Sequence, residues 1–401
     1  MFRFGLASLL SAGAALFAAG GAVAQSLEPL RIGFVTDMSG IYSDLDGING
    51  LEAIRMAVAD FGGAVLGRKI EVVYADHQSK ADIASVKARE MLDQKGVSLL
   101  MGGTNTAANL AMNKLVTEKK RVFFTIGGTS PRLTGEECTA YTVAWLFDTA
   151  ALAKSTGGAV TRNGGKSWYF ITADYSFGHS LEEETAAVAR ANGAEIKGSS
   201  RHPLNASDFS SYLVKAQTSG AKILGFANAG GDLVNGIKAA REFGVTRTMN
   251  IAALLMFIND VHALGLETTQ GLLMTDAWYW NLNPDTRQFA RRFFDKTKKM
   301  PNSIQAADYA SVLTYLKAVK QAGTDDADTV MKVLKSTQIA DVFGRGQIRK
   351  DGRYVHDLYL LQVKAPKDST QPWDYMNVVA TVPGKEAFTP LEDSKCPLVR
   401  Q

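Results

Sequence analysis

Gly102–Ala111 reads GGTNTAANLA, and Gly127–Thr134 reads GGTSPRLT. Each joins two glycines to hydroxyl and amide side chains where an apolar run gives way to a polar one. Glycine lets a backbone approach a bound group closely. Free N–H groups at a helix start, joined by Ser or Thr hydroxyls, attract a carboxylate or phosphate. Gly103, Thr104, Asn105, Gly128, Thr129 and Ser130 are therefore the candidate anion anchors. The same residue types also build ordinary turns and N-caps. One such turn says little, but two after neighbouring strands say more.

Aromatic and polar residues at similar turns extend the candidate set. Ser39 and Tyr42 lie in SGIYSDLDG (39–47), Tyr175 and Phe177 in ADYSFGHS (173–180), Asn228 in NAGGD (228–232) and Phe257 in MFIND (256–260). Trp278 and Tyr279 belong to a Trp-Tyr-Trp run. Aromatic walls with a few polar anchors suit a small-molecule pocket, although each ring alone reads rather as core or hinge packing, except Tyr175 and Phe177 in their polar, Gly-containing loop. No G-x-G-x-x-G follows a strand, and the chain has no P-loop, G-x-S-x-G or H-E-x-x-H. His77, His179, His202, His262 and His356 are scattered without ligand spacing. No catalytic residue, metal or cofactor is implied.

The elements that must position these turns alternate. LRIGFVTD (30–37) reads as a strand, GLEAIRMAVADFGG (50–63) as a helix, KIEVVYAD (69–76) as a strand and ADIASVKAREMLDQKG (81–96) as a helix. VSLLMG (97–102) and RVFFTIGG (121–128) are further strands with a helix between them. Repeated β-α-β implies a parallel sheet covered on both faces. The pattern restarts at SWYFITAD (167–174) and runs to GLLMTDAWYW (271–280). The last third departs from it: helical runs at 285–299, 304–323 and 327–339 precede a hairpin around Asp351–Gly352 and a strand within 373–384. No long linker separates the halves, so they are expected to be joined by several chain crossings. Ligands of such sheets sit beyond the carboxyl ends of the strands, where the candidate turns lie.

The chain has 401 residues, 46% of them hydrophobic and 21% charged, with a formal charge of +4. This is an ordinary globular composition for two or three domains, and the charge does not argue for nucleic acid. Arg3, the apolar run FGLASLLSAGAALFAAG and Ala22–Val23–Ala24 form a secretory signal pattern over residues 1–24, cleaved after Ala24. A membrane anchor is the alternative, but the run is short and rich in Ala and Gly. Cys138 and Cys396 are the only cysteines. An exported chain with two cysteines suggests one disulfide rather than two free thiols.

RIGFVTDMSGIYSDLDGINGLEAIRMAVADFGG, GRKIEVVYADHQSKADIASVKAREML, GGTNTAANLA and TADYSFGHSLE together resemble the extracytoplasmic solute-binding proteins of branched-chain-amino-acid-type ABC transporters. The resemblance covers about residues 30–384. It implies an α/β fold of two doubly wound parallel-sheet lobes joined by three crossings, the type I periplasmic binding protein fold. Lobe 1 would hold 28–146 plus 278–346, lobe 2 would hold 147–277 plus 347–390, and 391–401 would be a tail. It also implies a periplasmic, monomeric receptor that passes its solute to an inner-membrane permease with cytoplasmic ATPase subunits.

In that family the solute carboxylate meets the turns after the third and fourth strands, here Gly103, Thr104, Asn105, Gly128, Thr129 and Ser130. Tyr175 matches an aromatic contributed by lobe 2. Amino-acid-binding members place an acid where this chain has Met256 and Phe257, and another position, often Tyr, reads Asn228. A buried ammonium without a carboxylate partner is costly. The departure favours a carboxylate with an apolar or aromatic body, such as a benzoate or cinnamate, unless Asp260 supplies the missing acid. The alternatives are an amino acid receptor, a ligand-sensing subunit of a signalling receptor, or a secreted hydrolase, the last opposed by the missing motifs.

Overall fold

The computed structural model describes residues 1–2 and 27–400. The expected signal segment and its cleavage site therefore lie almost wholly outside the described residues. Six strands, β1 (Leu30–Thr36), β2 (Ala64–Val65), β3 (Arg68–Asp76), β4 (Val97–Gly102), β5 (Val122–Thr125) and β6 (Thr142–Ala144), form one sheet in the order β2-β3-β1-β4-β5-β6. All its pairings are parallel except the short β2–β3 pair. Every residue of β4 and β5 is buried. That is why both read as unbroken apolar runs and not as alternating ones. The helices α1 (Gly47–Phe61), α2 (Ala81–Asp93) and α3 (Thr106–Lys119) connect these strands.

A second segment, α4 (Thr149–Leu152), leads through a single π-helical turn, Ala153–Gly157, into α5 (Gly158–Arg162). No element is expected of this segment from the sequence. The helix continues because Gly157 lets it pack closely: a Cβ there would lie 2.9 Å from Thr185 Cγ2. Strands β7 (Ser167–Ala173), β8 (Glu195–His202), β9 (Ile223–Ala227) and β10 (Asn250–Ala253) build a second parallel sheet, ordered β10-β9-β7-β8. Its helices are α6 (Ser176–Ala191), α7 (Ser210–Thr218), α8 (Gly230–Glu242), α9 (Ile258–Leu264) and α10 (Leu266–Thr269).

After β11 (Leu273–Asp276), helices α11 (Pro284–Thr297), α12 (Ser303–Ala322) and α13 (Ala327–Ser336) return to the first sheet, with α12 packed along α1. Strands β12 (Gln338–Ala340), β13 (Arg345–Ile348) and β14 (Tyr354–His356) make a small antiparallel sheet. Then β15 (Leu358–Val363) pairs with β11 and with β16 (Met376–Val382). The chain thus passes between the two bodies three times: at 145–148, at 277–283 and at Asp357. The 346/347 boundary expected from the resemblance lies inside β13, whose Gly346–Ile348 pair with Tyr354–His356, and Arg353 bridges Ala144 at the edge of the first sheet. The structure joins Cys138 to Cys396 by a disulfide, with Cα atoms 5.5 Å apart.

Candidate functional site

The carboxyl ends of β1, β4 and β5 face those of β7 and β9 across a cleft. Asp37, just after β1, orders the first turn. Its carboxylate accepts from Gly40 N (2.8 Å), Tyr42 N (3.2 Å) and Ser79 Oγ (2.7 Å). That ordering brings Tyr42 to the cleft, where its hydroxyl lies 2.7 Å from that of Tyr175 on the other body. Burial holds both phenols protonated, with pKa values raised above the ordinary range. The same turn is gripped twice more from across the cleft. Gly231 N donates to Ile41 O (3.1 Å), and Asn259 Nδ2 donates to Asp44 O (3.2 Å).

Between the bodies lies a small cavity of about 30 Å³, well below the roughly 300–1,000 Å³ usual for small-molecule sites, so the two bodies must part to admit a solute. One wall carries the polar groups: Thr104, Asn105, Thr106, Gly127 and Thr129. Leu45, Leu146, Phe147, Ile304, Ala229, Leu255, Phe177, Phe257, Tyr42 and Tyr175 complete the lining. Not one of these fifteen residues is charged. Phe147 and Phe257 stack across the cleft with ring centroids 6.5 Å apart.

Asn105 caps α3, with its side chain accepting from Ala108 N at 3.0 Å and its own φ at +75°, a conformation Asn tolerates. The next N–H groups, of Thr106 and Ala107, belong to the first turn and have no intrahelical partner. Thr106 Oγ1 accepts from Thr129 N (3.2 Å) and lies 3.3 Å from Thr129 Oγ1. This cluster of neutral donors at a helix start can hold an anion, aided by the helix dipole.

Behind it sits a buried acid pair. Asp46 Oδ2 accepts from Thr36 Oγ1 (2.5 Å) and Thr104 N (3.2 Å). Burial pushes the Asp46 pKa to about 6 and that of neighbouring Asp308 well above the carboxylate range. His77 Nε2 donates to Thr104 O (3.0 Å), while its Nδ1 accepts from Ser79 N (3.0 Å). Thr104 is thus fixed on both sides.

Of the sequence candidates, Tyr42, Thr104, Asn105, Thr129, Tyr175, Phe177 and Phe257 come together around the void. The others do not line it, each for a physical reason. Ser39 is exposed and donates to Asp76 Oδ2 (2.5 Å). Gly103 is glycine for internal packing: its Cβ would lie 2.1 Å from Asp46 Oδ2 and 2.2 Å from Thr36 Oγ1. Its N–H, and that of Thr104, already have protein acceptors, so neither is a free anion donor. Gly128 is crowded by Thr125 Oγ1, 2.3 Å from where its Cβ would be. Ser130 caps a short 3₁₀ turn through Arg132 N (3.3 Å). Asn228 Nδ2 donates to His202 Nε2 (3.1 Å) inside the second body.

Trp278 Nε1 donates to Val342 O (3.0 Å), and the Tyr279 hydroxyl and Trp280 Nε1 both reach Trp373 O (3.4 and 2.9 Å). The Trp-Tyr-Trp run therefore clasps the second passage and does not wall the cavity. Asp260 spends its carboxylate on Phe257 N (2.8 Å), and burial raises its pKa to about 7. Sequence reasoning missed Leu45, Thr106, Gly127, Leu146, Phe147, Ala229, Leu255 and Ile304. Leu45, Thr106, Gly127 and Ala229 stood inside the quoted turns. Leu146, Phe147 and Ile304 carried no signal, because they come from a passage and a distant helix start.

Residues 29–370 match the family described as periplasmic binding protein. A periplasmic binding protein from Burkholderia mallei is 61% identical with a TM-score of 0.91, over 92% of this chain and 99% of that one. A branched chain amino acid ABC transporter periplasmic ligand-binding protein from Burkholderia xenovorans is 36% identical with a TM-score of 0.81, over 92% and 100%. The "Leu/Ile/Val-binding protein homolog 4" of Brucella abortus is 25% identical over 56% of this chain, and the match spans 56% of that relative's length. No helix among the described residues is long and apolar enough to cross a membrane.

Proposed function

The chain belongs to the periplasmic binding protein family, a family of solute receptors and not of enzymes, and from that premise we propose that it is the receptor of an ABC importer for a small carboxylate with an apolar or aromatic body. A benzoate or cinnamate is the favoured class. The observation that carries the choice is the uncharged lining. An α-ammonium enclosed there would have no carboxylate partner, at a cost of several kcal/mol. The candidate substitute, Asp260, is committed to its own helix start. A carboxylate is provided for by neutral donors, namely Thr106 N, Thr106 Oγ1 and Thr129 Oγ1 at the α3 terminus. Leu146, Phe147, Phe257 and Leu255 enclose an apolar body.

The solute binds the closed arrangement better because it touches both bodies, and it shifts the population by that differential affinity. The closed, monomeric form would then dock on an inner-membrane permease that works with cytoplasmic ATPase subunits. Replacing Thr106 and Thr129 by Ala, singly, tests the anchor. Each variant is expected to weaken 4-hydroxybenzoate binding about tenfold while remaining folded, the loss of one charge-assisted hydrogen bond. Wild-type affinity in both folded variants would sink the assignment.

A further inference from the structure

Arg353 is almost wholly buried, with its side chain 1% exposed, yet it does not itself line the cavity. Its guanidinium is spent on the first passage. Nη1 donates to Leu146 O and to Ala144 O (3.4 Å), and Nη2 donates to Asp148 Oδ2 (3.0 Å). Asp148 is itself 4% exposed and uses Oδ1 to cap α4 at Ala151 N (2.9 Å). Beside this fork, Ala144 N donates to Gly352 O (2.9 Å), and His356 Nε2 lies 3.0 Å from Trp145 O. Residues 352–356, which lead into the third passage, are thereby fastened to every residue from Ala144 to Asp148 except Phe147. The side chains of Leu146 and Phe147 form one wall of the cavity.

We propose that Arg353 is a positioning residue for solute binding. It clamps the first passage to the segment that leads into the third, and so fixes the pivot of closure and the cavity wall made by Leu146 and Phe147. A guanidinium suits the task because its planar fork satisfies two backbone carbonyls and a carboxylate from fixed directions; an ammonium on a flexible stem cannot. Removing it leaves those carbonyls and the Asp148 carboxylate without their partner. The passage then relaxes, and the closed arrangement loses its unique register. Apparent affinity falls with the fraction of molecules that are binding-competent.

The test follows the angle between the bodies in ligand-free protein, so it does not depend on the proposed carboxylate specificity. Spin labels are placed at V86C on α2 and V214C on α7, which are 64% and 50% exposed. Arg353→Met and Arg353→Lys are compared with wild type and with Val319→Ala, a core truncation in α12 that lowers stability away from the passages. Arg353→Met is expected to broaden and shift the inter-label distance distribution. Arg353→Lys should do so partially, and Val319→Ala not at all. A second arm titrates 4-hydroxybenzoate, with a loss of at least about tenfold expected for Arg353→Met from the population shift. A wild-type distance distribution in folded Arg353→Met overturns the proposal. If that variant does not fold, a wild-type distribution in Arg353→Lys overturns it equally. If wild type binds no 4-hydroxybenzoate, the ligand assignment fails, and the distance arm still decides the role of Arg353.

Discussion

Closing the cleft brings Gly230, the first residue of α8, against the turn after β1. Gly230 has φ +59°, and a Cβ built on it would lie 2.7 Å from Ile41 O and 3.0 Å from the Tyr42 ring. Both atoms belong to the opposite body. Gly230→Ala therefore carries two separable costs. The left-handed backbone costs about 1–2 kcal/mol whether the cleft is open or closed. The clash with a backbone oxygen exists only when the bodies meet, and overpacking of this kind costs about 1–3 kcal/mol. Only the second cost enters binding, so affinity for 4-hydroxybenzoate should fall roughly 5- to 150-fold at 1.4 kcal/mol per decade. Gly244→Ala is the matched control. Its φ is +69°, and its Cβ would meet nothing closer than 3.7 Å. Both variants should lose similar thermal stability, while calorimetry shows weakened binding in Gly230→Ala alone. Equal affinities in the two folded variants would refute the claim that this turn seats on α8 in the bound form.

Other expectations follow from the same geometry. Asp260 and Asp276 have pKa values raised by burial to about 7, above the ordinary carboxylate value of about 4. Their contribution to stability is full below that ordinary value and is lost as pH rises through about 7. Asp260→Asn should flatten the fall in denaturation free energy between pH 5 and 8, by on the order of a few kcal/mol. An unchanged slope would contradict the burial argument. Reducing Cys138–Cys396, which spans 258 residues, should cost roughly 2–5 kcal/mol of stability and leave solute affinity unaltered. Gly103→Ala should both destabilise the fold by about 3 kcal/mol or more and abolish binding, since its Cβ would overlap the Asp46 carboxylate. A stable, binding-competent Gly103→Ala protein would mean that the turn after β4 is misplaced.

The alternation of buried apolar runs with amphipathic ones made the two doubly wound sheets legible, because a parallel strand covered on both faces has no polar side to show. The turns after β1, β4, β5 and β7 were legible for the same reason, and they do form the cleft. Which residue of each turn faces the cleft was not. The paired glycines at 102–103 and 127–128 look like an invitation to a ligand, yet three of their four Cβ positions are taken by Asn109, Asp46, Thr36 and Thr125, and that of Gly127 by the Gly103–Thr104 backbone. Those contacts join residues far apart in sequence, such as Gly103 and Thr36. Likewise, Trp278 and Tyr279 read in the sequence as part of a cavity wall, but their polar atoms bond to Val342 and Trp373. Leu146 and Phe147 reached the cavity only through a passage whose path is held by Arg353, more than 200 residues away in sequence.

The central claim is that the cavity takes a carboxylate and has no place for an ammonium. The most direct measurement is calorimetric titration of the ligand-stripped mature protein with 4-hydroxybenzoate and, separately, with leucine. Binding of the aromatic acid with none of leucine is the predicted result. Tight binding of leucine with none of the aromatic acid would contradict it, and would require a carboxylate, Asp260 first among them, to turn into the cavity when the solute binds.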